Sequence, residues 1–252
     1  MRLSVVMYTV ALLAVAFPAT AGAAVPKSAR GVALTSCERG AGDQGGAAVF
    51  EARMRALPRS SRMQLRYTLQ VRTPDRDRYA AISAPGFGKW LGPAAGTTSY
   101  VYTKRVESLL APGSYRVTVR FRWLNSAGTV IRRAKVTSIA CRQPDPRPDL
   151  SVRSLGMQST SDPARSRYVA FVRNTGRGVA DPSSLELTVA GTLLGSAPVD
   201  ELAPGEGMLV SLEGPTCAAG DAIEAEADAD EAVDERDEAD NRFSRLCPSS
   251  SG

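Results

Sequence analysis

The chain contains no histidine in 252 residues. That absence excludes Ser-His-Asp and Cys-His nucleophilic catalysis, histidine-ligated zinc and imidazole acid–base work. Cysteine is scarce, at four residues, and the spacing of Cys37, Cys141, Cys217 and Cys247 fits no zinc pattern. No Gly-x-Ser-x-Gly elbow, no Asn-x-Ser/Thr acceptor and no EF-hand loop occurs. Gly40-x-Gly42-x-x-Gly45 has the form of a dinucleotide fingerprint, but no βαβ pattern surrounds it, so it reads as a loop. Carboxylate-only hydrolysis survives this elimination on paper. The candidate acids crowd one segment and no aromatic-lined cleft accompanies them, so the chain is read as not being an enzyme.

Long apolar runs are missing beyond the N-terminus. Arg2 is followed by the apolar stretch Leu3 to Phe17, a break at Pro18 and the small residues Ala21-x-Ala23. This is the pattern of a cleaved signal peptide over residues 1–24. The run is short of the roughly 20 residues a membrane helix needs, so no span is expected in the mature chain. A secreted, extracellular location follows.

The cysteines then read as a disulfide framework. Of the three pairings four cysteines allow, only Cys37–Cys141 with Cys217–Cys247 keeps each bridge within one half of the chain. The halves also differ in charge. Residues 25–146 hold 21 Lys and Arg against 7 Asp and Glu, whereas residues 147–252 hold 9 against 19. A formal net charge of +5 therefore hides a basic half and an acidic half. Between them Gln143-Pro-Asp-Pro-Arg-Pro148 reads as a stiff linker, because closely spaced prolines favour extended polyproline II. The expected domains are residues 25–142 and 149–247, with a linker at 143–148 and a flexible tail at 248–252.

Both halves read as strands. Met63, Leu65, Tyr67, Leu69 and Val71 alternate with polar residues, as do Tyr115, Val117, Val119, Phe121 and Trp123. Tyr100–Leu109 and Thr129–Cys141 are further strands, with a turn at Asn125–Gly128. Ala48–Leu57 fits a helix face or a strand, and is read as a strand because its neighbours are strands. Ser83–Thr98, rich in Gly and Pro, is a long loop carrying Trp90. In the second half strands are expected near Asp149–Leu155, Tyr168–Arg173, Leu185–Val189, Met208–Leu212, Ile223–Asp228 and Asn241–Leu246, the spacing of a β-sandwich. Leu-Ala-Pro-Gly occurs at 110–113 and again at 202–205, which suggests related domains.

The most informative stretch is Val233-Asp-Glu-Arg-Asp-Glu-Ala-Asp-Asn241, which closes an acidic run. Its Val233, Glu235, Glu238 and Asn241 follow, in order, Pro148-Asp-Leu150, Val172-Arg-Asn174-Thr-Gly176, Leu202-Ala-Pro-Gly205 and Ala219-Gly-Asp221. Together these resemble CARDB, the cell-adhesion-related domain found in bacteria, over residues 148–246. The resemblance implies an immunoglobulin-like β-sandwich and a surface or adhesion role. The sequence departs from the family at Asp240, where Asn is usual, in its longer acidic turn and in the Cys217–Cys247 pair.

The expectation is an all-β chain of two immunoglobulin-like antiparallel β-sandwiches in tandem, a non-catalytic secreted or cell-surface adhesion protein. The alternative is an accessory module that binds anionic wall polymer or glycan through its basic first domain. The ligand-binding candidates are Arg66, Arg116, Arg120, Arg122, Arg132 and Arg133. No cofactor is expected; calcium, which takes 6–8 oxygens, is the alternative, with Asp228, Asp230, Asp234, Asp237 and Glu238 as its candidates. Partners are an extracellular protein or an anionic polysaccharide, without nucleic acid, and the charge split allows salt-sensitive self-association.

Overall fold

The computed structural model describes residues 24–40 and 44–248. Most of the expected signal peptide, Gly42 of the glycine motif and all but the first residue of the tail lie outside the described residues. Among the described residues fifteen strands form four antiparallel sheets around two separate cores.

The first domain contains β1 (Arg30–Glu38), β2 (Gly46–Arg55), β3 (Arg62–Arg72), β4 (Ala80–Ile82), β5 (Ser99–Leu109), β6 (Gly113–Leu124), β7 (Val130–Thr137) and β8 (Cys141–Gln143). Its sheets run β1-β2-β5 and β4-β3-β6-β7, with β8 beside the start of β6. The second contains β9 (Leu150–Ser159), β10 (Arg165–Asn174), β11 (Ser183–Val189), β12 (Thr192–Val199), β13 (Gly207–Pro215), β14 (Ala222–Ala227) and β15 (Arg242–Leu246). Its sheets run β13-β10-β9 and β12-β11-β14-β15. Counted from each domain's own first strand, both follow one path: strands 1, 2 and 5 in one sheet, and 4, 3, 6 and 7 in the other. This is the immunoglobulin-like arrangement expected for both halves.

The Leu-Ala-Pro-Gly repeat is not what relates them. Leu110–Gly113 joins β5 to β6, the fifth and sixth strands of its domain, whereas Leu202–Gly205 precedes β13, a fifth strand. The two copies sit at non-equivalent corners, so the kinship of the domains rests on topology alone.

Alternation builds the first core. Met63, Leu65, Tyr67 and Leu69 on β3 lie directly opposite Trp123, Phe121, Val119 and Val117 on β6, and all eight are buried. Side chains alternate along a strand, so the intervening Gln64, Arg66, Thr68 and Gln70 face outward. The buried aromatics keep a partner for each polar atom. Trp123 Nε1 donates to Arg55 O at 2.7 Å, and Tyr67 Oη to Tyr102 O at 2.6 Å. Tyr115 Oη donates to Leu110 O at 2.8 Å, tying β6 to the corner before it.

Cys37 on β1 is bridged to Cys141 on β8, and Cys217 to Cys247, with Cα–Cα separations of 5.4 and 6.1 Å. The pairing is the one expected. Ala48–Leu57 is indeed a strand, contained in β2. The strand expected from Thr129 to Cys141 is instead interrupted. The buried Ser138 takes Val117 N on its hydroxyl oxygen at 3.1 Å, and its own amide donates to Val117 O, which ends β7 before β8 begins.

The linker is less free than a polyproline spacer. Gln143 is buried in the first domain, where its side chain donates to Glu38 O and accepts from Gly40 N. Arg147 pairs with Asp145 and with Asp234, Arg236 N donates to Pro148 O, and Arg177 N donates to Arg147 O. A Cβ on Gly176 would lie 2.4 Å from the Pro148 carbonyl carbon, which is why that position is glycine. The last linker residues are thus packed onto the second domain.

Candidate functional site

Two regions carry the chemistry anticipated from the sequence: the acidic segment after β14 and the outer face of the β3–β6–β7 sheet.

The acidic segment is a hairpin fastened to its own domain. Asp228 ends β14 in a left-handed conformation, φ 51°, and is buried. Its two carboxylate oxygens accept from Ala232 N at 3.0 Å and Val233 N at 3.1 Å. Val233 enters the core. Glu235 is buried and accepts from Leu150 N, at the start of β9, and from Asn241 Nδ2 at 3.0 Å. Asn241 Nδ2 also reaches Glu238 at 3.2 Å, and Glu238 accepts from Glu235 N at 3.4 Å. Arg236 pairs with Asp149, which is fully buried and also accepts from Thr175 Oγ1. The Val-x-Glu-x-x-Glu-x-x-Asn spacing therefore has a mechanical meaning. Valine anchors the hairpin, the first glutamate fastens it to β9, and the asparagine bridges the two glutamates.

Asp228, Glu235 and Glu238 bring carboxylate oxygens within 4.8 Å of one another. Burial pushes the Glu235 carboxyl up to about 7, with the nearby Glu238 and Asp228 charges adding to it against the bonds from Leu150 and Asn241. Burial also raises Asp228. Of the five calcium candidates only Asp228 and Glu238 join this group. Asp230 instead accepts from Ser184 N and Oγ, Asp234 from Arg147, and Asp237 from Ala239 N. Each of the six oxygens in the three-carboxylate group already accepts a hydrogen bond from the chain. That pattern fits a turn cap better than a cation cage, whose oxygens must point at one centre.

The basic face is continuous. Arg66 on β3 is directly opposite Arg120 on β6, and Arg120 is opposite Lys135 on β7. One step along, Arg122 is opposite Arg133. Strands β3, β4, β6, β7 and β8 contain no Asp or Glu. Further along β6, Arg116 is opposite Gln70. Among the described residues none of these five arginines, nor the lysine, pairs with a carboxylate. Like charges directly opposite one another on a sheet destabilise it, so stability does not explain this composition.

Arg132 does not belong to this face. It is opposite Trp123, a core residue, and its guanidinium donates to Ile131 O. Arg132 and Arg133 are adjacent in a strand and must point to opposite sides. Lys135 takes its place in the set. The sequence reading also missed two aromatics. Trp90, from the long loop after β4, lies with its ring 4.0 Å from Arg122 Cζ and 5.0 Å from Arg66 Cζ. Tyr79, just before β4, lies 3.7 Å from Arg116 Cζ and 5.4 Å from Arg72 Cζ. The core aromatics at 67, 115, 121 and 123 are buried and take no part.

Comparison with known proteins decides one point. Residues 147–245 match the family model CARDB. The second domain is CARDB-like. The CARDB domain of the PF1109 protein of Pyrococcus furiosus, solved in complex with di-metal ions, is 21% identical and has a TM-score of 0.35; the match covers 41% of this chain and 89% of that one. A domain named as part of a cell surface protein of Methanosarcina acetivorans is 20% identical with a TM-score of 0.36, covering 42% of this chain and 95% of that one. Among curated proteins none matches. The family model stops short of the first domain, so the basic face lies outside the CARDB-like region.

Proposed function

We propose that this is a non-catalytic binding protein that works outside the cell or at its surface, and that it holds an anionic partner on the outer face of the β3–β6–β7 sheet. The observation that carries this reading is the unpaired charge of that face: arginines and a lysine in register across three strands that contain no carboxylate residue. A surface selected only for solubility or stability intersperses acids among bases. The CARDB match supports a surface or adhesion-related role for the second domain. Two disulfides support an oxidising, exported setting. No helix among the described residues is long and apolar enough to cross a membrane.

The acidic hairpin is structural on this reading. It closes the sandwich and fastens the CARDB-like domain to its first strand, leaving recognition to the first domain. The test is sedimentation of the full chain with cell-envelope preparations at low and moderate salt. Arg120→Glu with Arg133→Glu, both exposed and outside the core, should abolish co-sedimentation while the melting curve stays in place. Retention of this variant at the wild-type level would remove the basic face from the account.

A further inference from the structure

The arginines of the basic face are not equally free, and the difference has a pattern. Arg122 Nε donates to Gln64 Oε1 at 2.7 Å, and its guanidinium lies over Trp90 at 4.0 Å. Arg116 Nε donates to Gln70 Oε1 at 3.1 Å, and its guanidinium lies over Tyr79 at 3.7 Å. Each ring also receives a second arginine, Arg66 on Trp90 and Arg72 on Tyr79. The same unit, one glutamine, one ring and two arginines, therefore occurs twice on one sheet. Gln64 and Arg122 are cross-strand partners, as are Gln70 and Arg116. Moving from one unit to the other takes six residues along each strand, about 20 Å at roughly 3.3 Å per residue.

In each unit the inner edge of the guanidinium is bonded and its plane is held by the ring. What remains is the outer pair of Nη groups, the fork that grips an oxyanion bidentately. Fixing the fork in advance removes the ordering cost that a free arginine meets on binding. Between the forks stand Arg66 and Arg120, opposite each other, and Arg66 Nε is buried without a hydrogen-bond partner among the described residues. Between that pair and the second fork lies one uncharged row, Thr68, Thr118 and Thr137.

We propose that these two units are clamps for two acidic groups, about 20 Å apart, of one linear anionic polysaccharide lying along the strands and spanning both. This rests on the reading of the sheet face as the binding surface and names its ligand class. A single small anion cannot bridge about 20 Å. Single-stranded nucleic acid binds by stacking bases on open aromatic platforms, whereas Trp90 and Tyr79 are each occupied by two guanidinium groups. An acidic domain of a second copy is a poorer fit, because Asp228, Glu235 and Glu238 are engaged within their own domain, Asp230 by Ser184 and Asp234 by Arg147.

The test uses the full chain and a length series of oligogalacturonates, with single-stranded DNA of matched charge as a second probe. Affinity should climb steeply until the oligomer spans both clamps and level off beyond. Arg122→Gln and Arg116→Gln should each lower the affinity for long oligomers by about 10-fold or more, the loss of a bidentate charged contact, and bring it to that for short ones. Arg53→Gln, on the other sheet, should change nothing, and near-ultraviolet circular dichroism should report an intact fold for all three. Loss of length dependence, or wild-type affinity in both clamp variants, overturns the clamps while leaving envelope binding to be explained by charge alone. Tighter binding of the DNA overturns the ligand class. Absence of binding to the oligomers and to cell envelopes alike overturns the clamps and the surface reading together.

Discussion

Glu235→Gln should make the second domain more stable at pH 8 and leave it almost unchanged at pH 5. The Glu235 carboxyl, ordinarily at 4.5, is carried to about 7 chiefly by its burial. Between these values the folded chain binds a proton that the unfolded chain has released. Stability then falls as pH rises: the contribution is complete below about 4.5 and is lost as pH passes 7. Taken whole, the displacement is worth about 3 kcal/mol. The neighbouring Glu238 is exposed, and solvent screening brings the expectation to about half of that. For a domain of this size about 1.5 kcal/mol is roughly 6 °C or more in melting temperature. Glutamine keeps the shape and an oxygen for Leu150 N. Its amino group can be met by turning Asn241, whose Oδ1 has no partner among the described residues. The assay is calorimetric melting of wild type and variant from pH 4.5 to 8. Other carboxyls titrate in both proteins, so the difference between the two curves isolates this group. Parallel curves across that range would refute the burial argument.

Other outcomes follow from the same contacts. Asn174, fully buried, accepts from Asp149 N and Gly176 N and donates to Gly178 O and Leu202 O. Asn174→Ala should therefore cost about 3 kcal/mol in denaturant unfolding of the second domain, and a loss below about 1 kcal/mol would mean the loop closes without it. Cys37–Cys141 spans 104 residues and Cys217–Cys247 spans 30. Replacing the first pair with serine should lower its domain's stability by about 4–5 kcal/mol and the second by about 3.5, read as separate calorimetric transitions; equal losses would contradict the loop-length account. Millimolar calcium should give no heat on titration and no rise in melting temperature, because the six hairpin oxygens are engaged; a saturable heat would restore the cation reading.

Much of the fold was legible because its central strands bury one face. β3 and β6 alternate so regularly that the sequence places Tyr67, Phe121 and Trp123 inside and the arginines outside. Three strands escaped notice. β1, β12 and the three-residue β4 lie at sheet edges and are largely part-buried or exposed, so their alternation is faint. Gly195 and Pro198 blur β12 further. The binding face was half legible. Strand parity alone excludes Arg132 once Arg133 is included. Trp90 and Tyr79, by contrast, arrive from segments flanking β4, and no local periodicity announces that a loop will fold back onto the sheet. The hairpin failed for a related reason. Nearness in sequence gathers Asp230, Asp234 and Asp237 with Asp228, whereas Glu235 owes its place to Leu150, 85 residues away.

The central claim is that the sheet face, and not the acidic hairpin, meets the partner. Co-sedimentation of the full chain with cell envelopes across a salt series tests it most directly, comparing wild type, Arg120→Glu with Arg133→Glu, and Glu235→Gln. The account predicts salt-sensitive binding by wild type and Glu235→Gln alike, and none by the double arginine variant. Binding that survives the loss of the two arginines but fails with Glu235→Gln would contradict it.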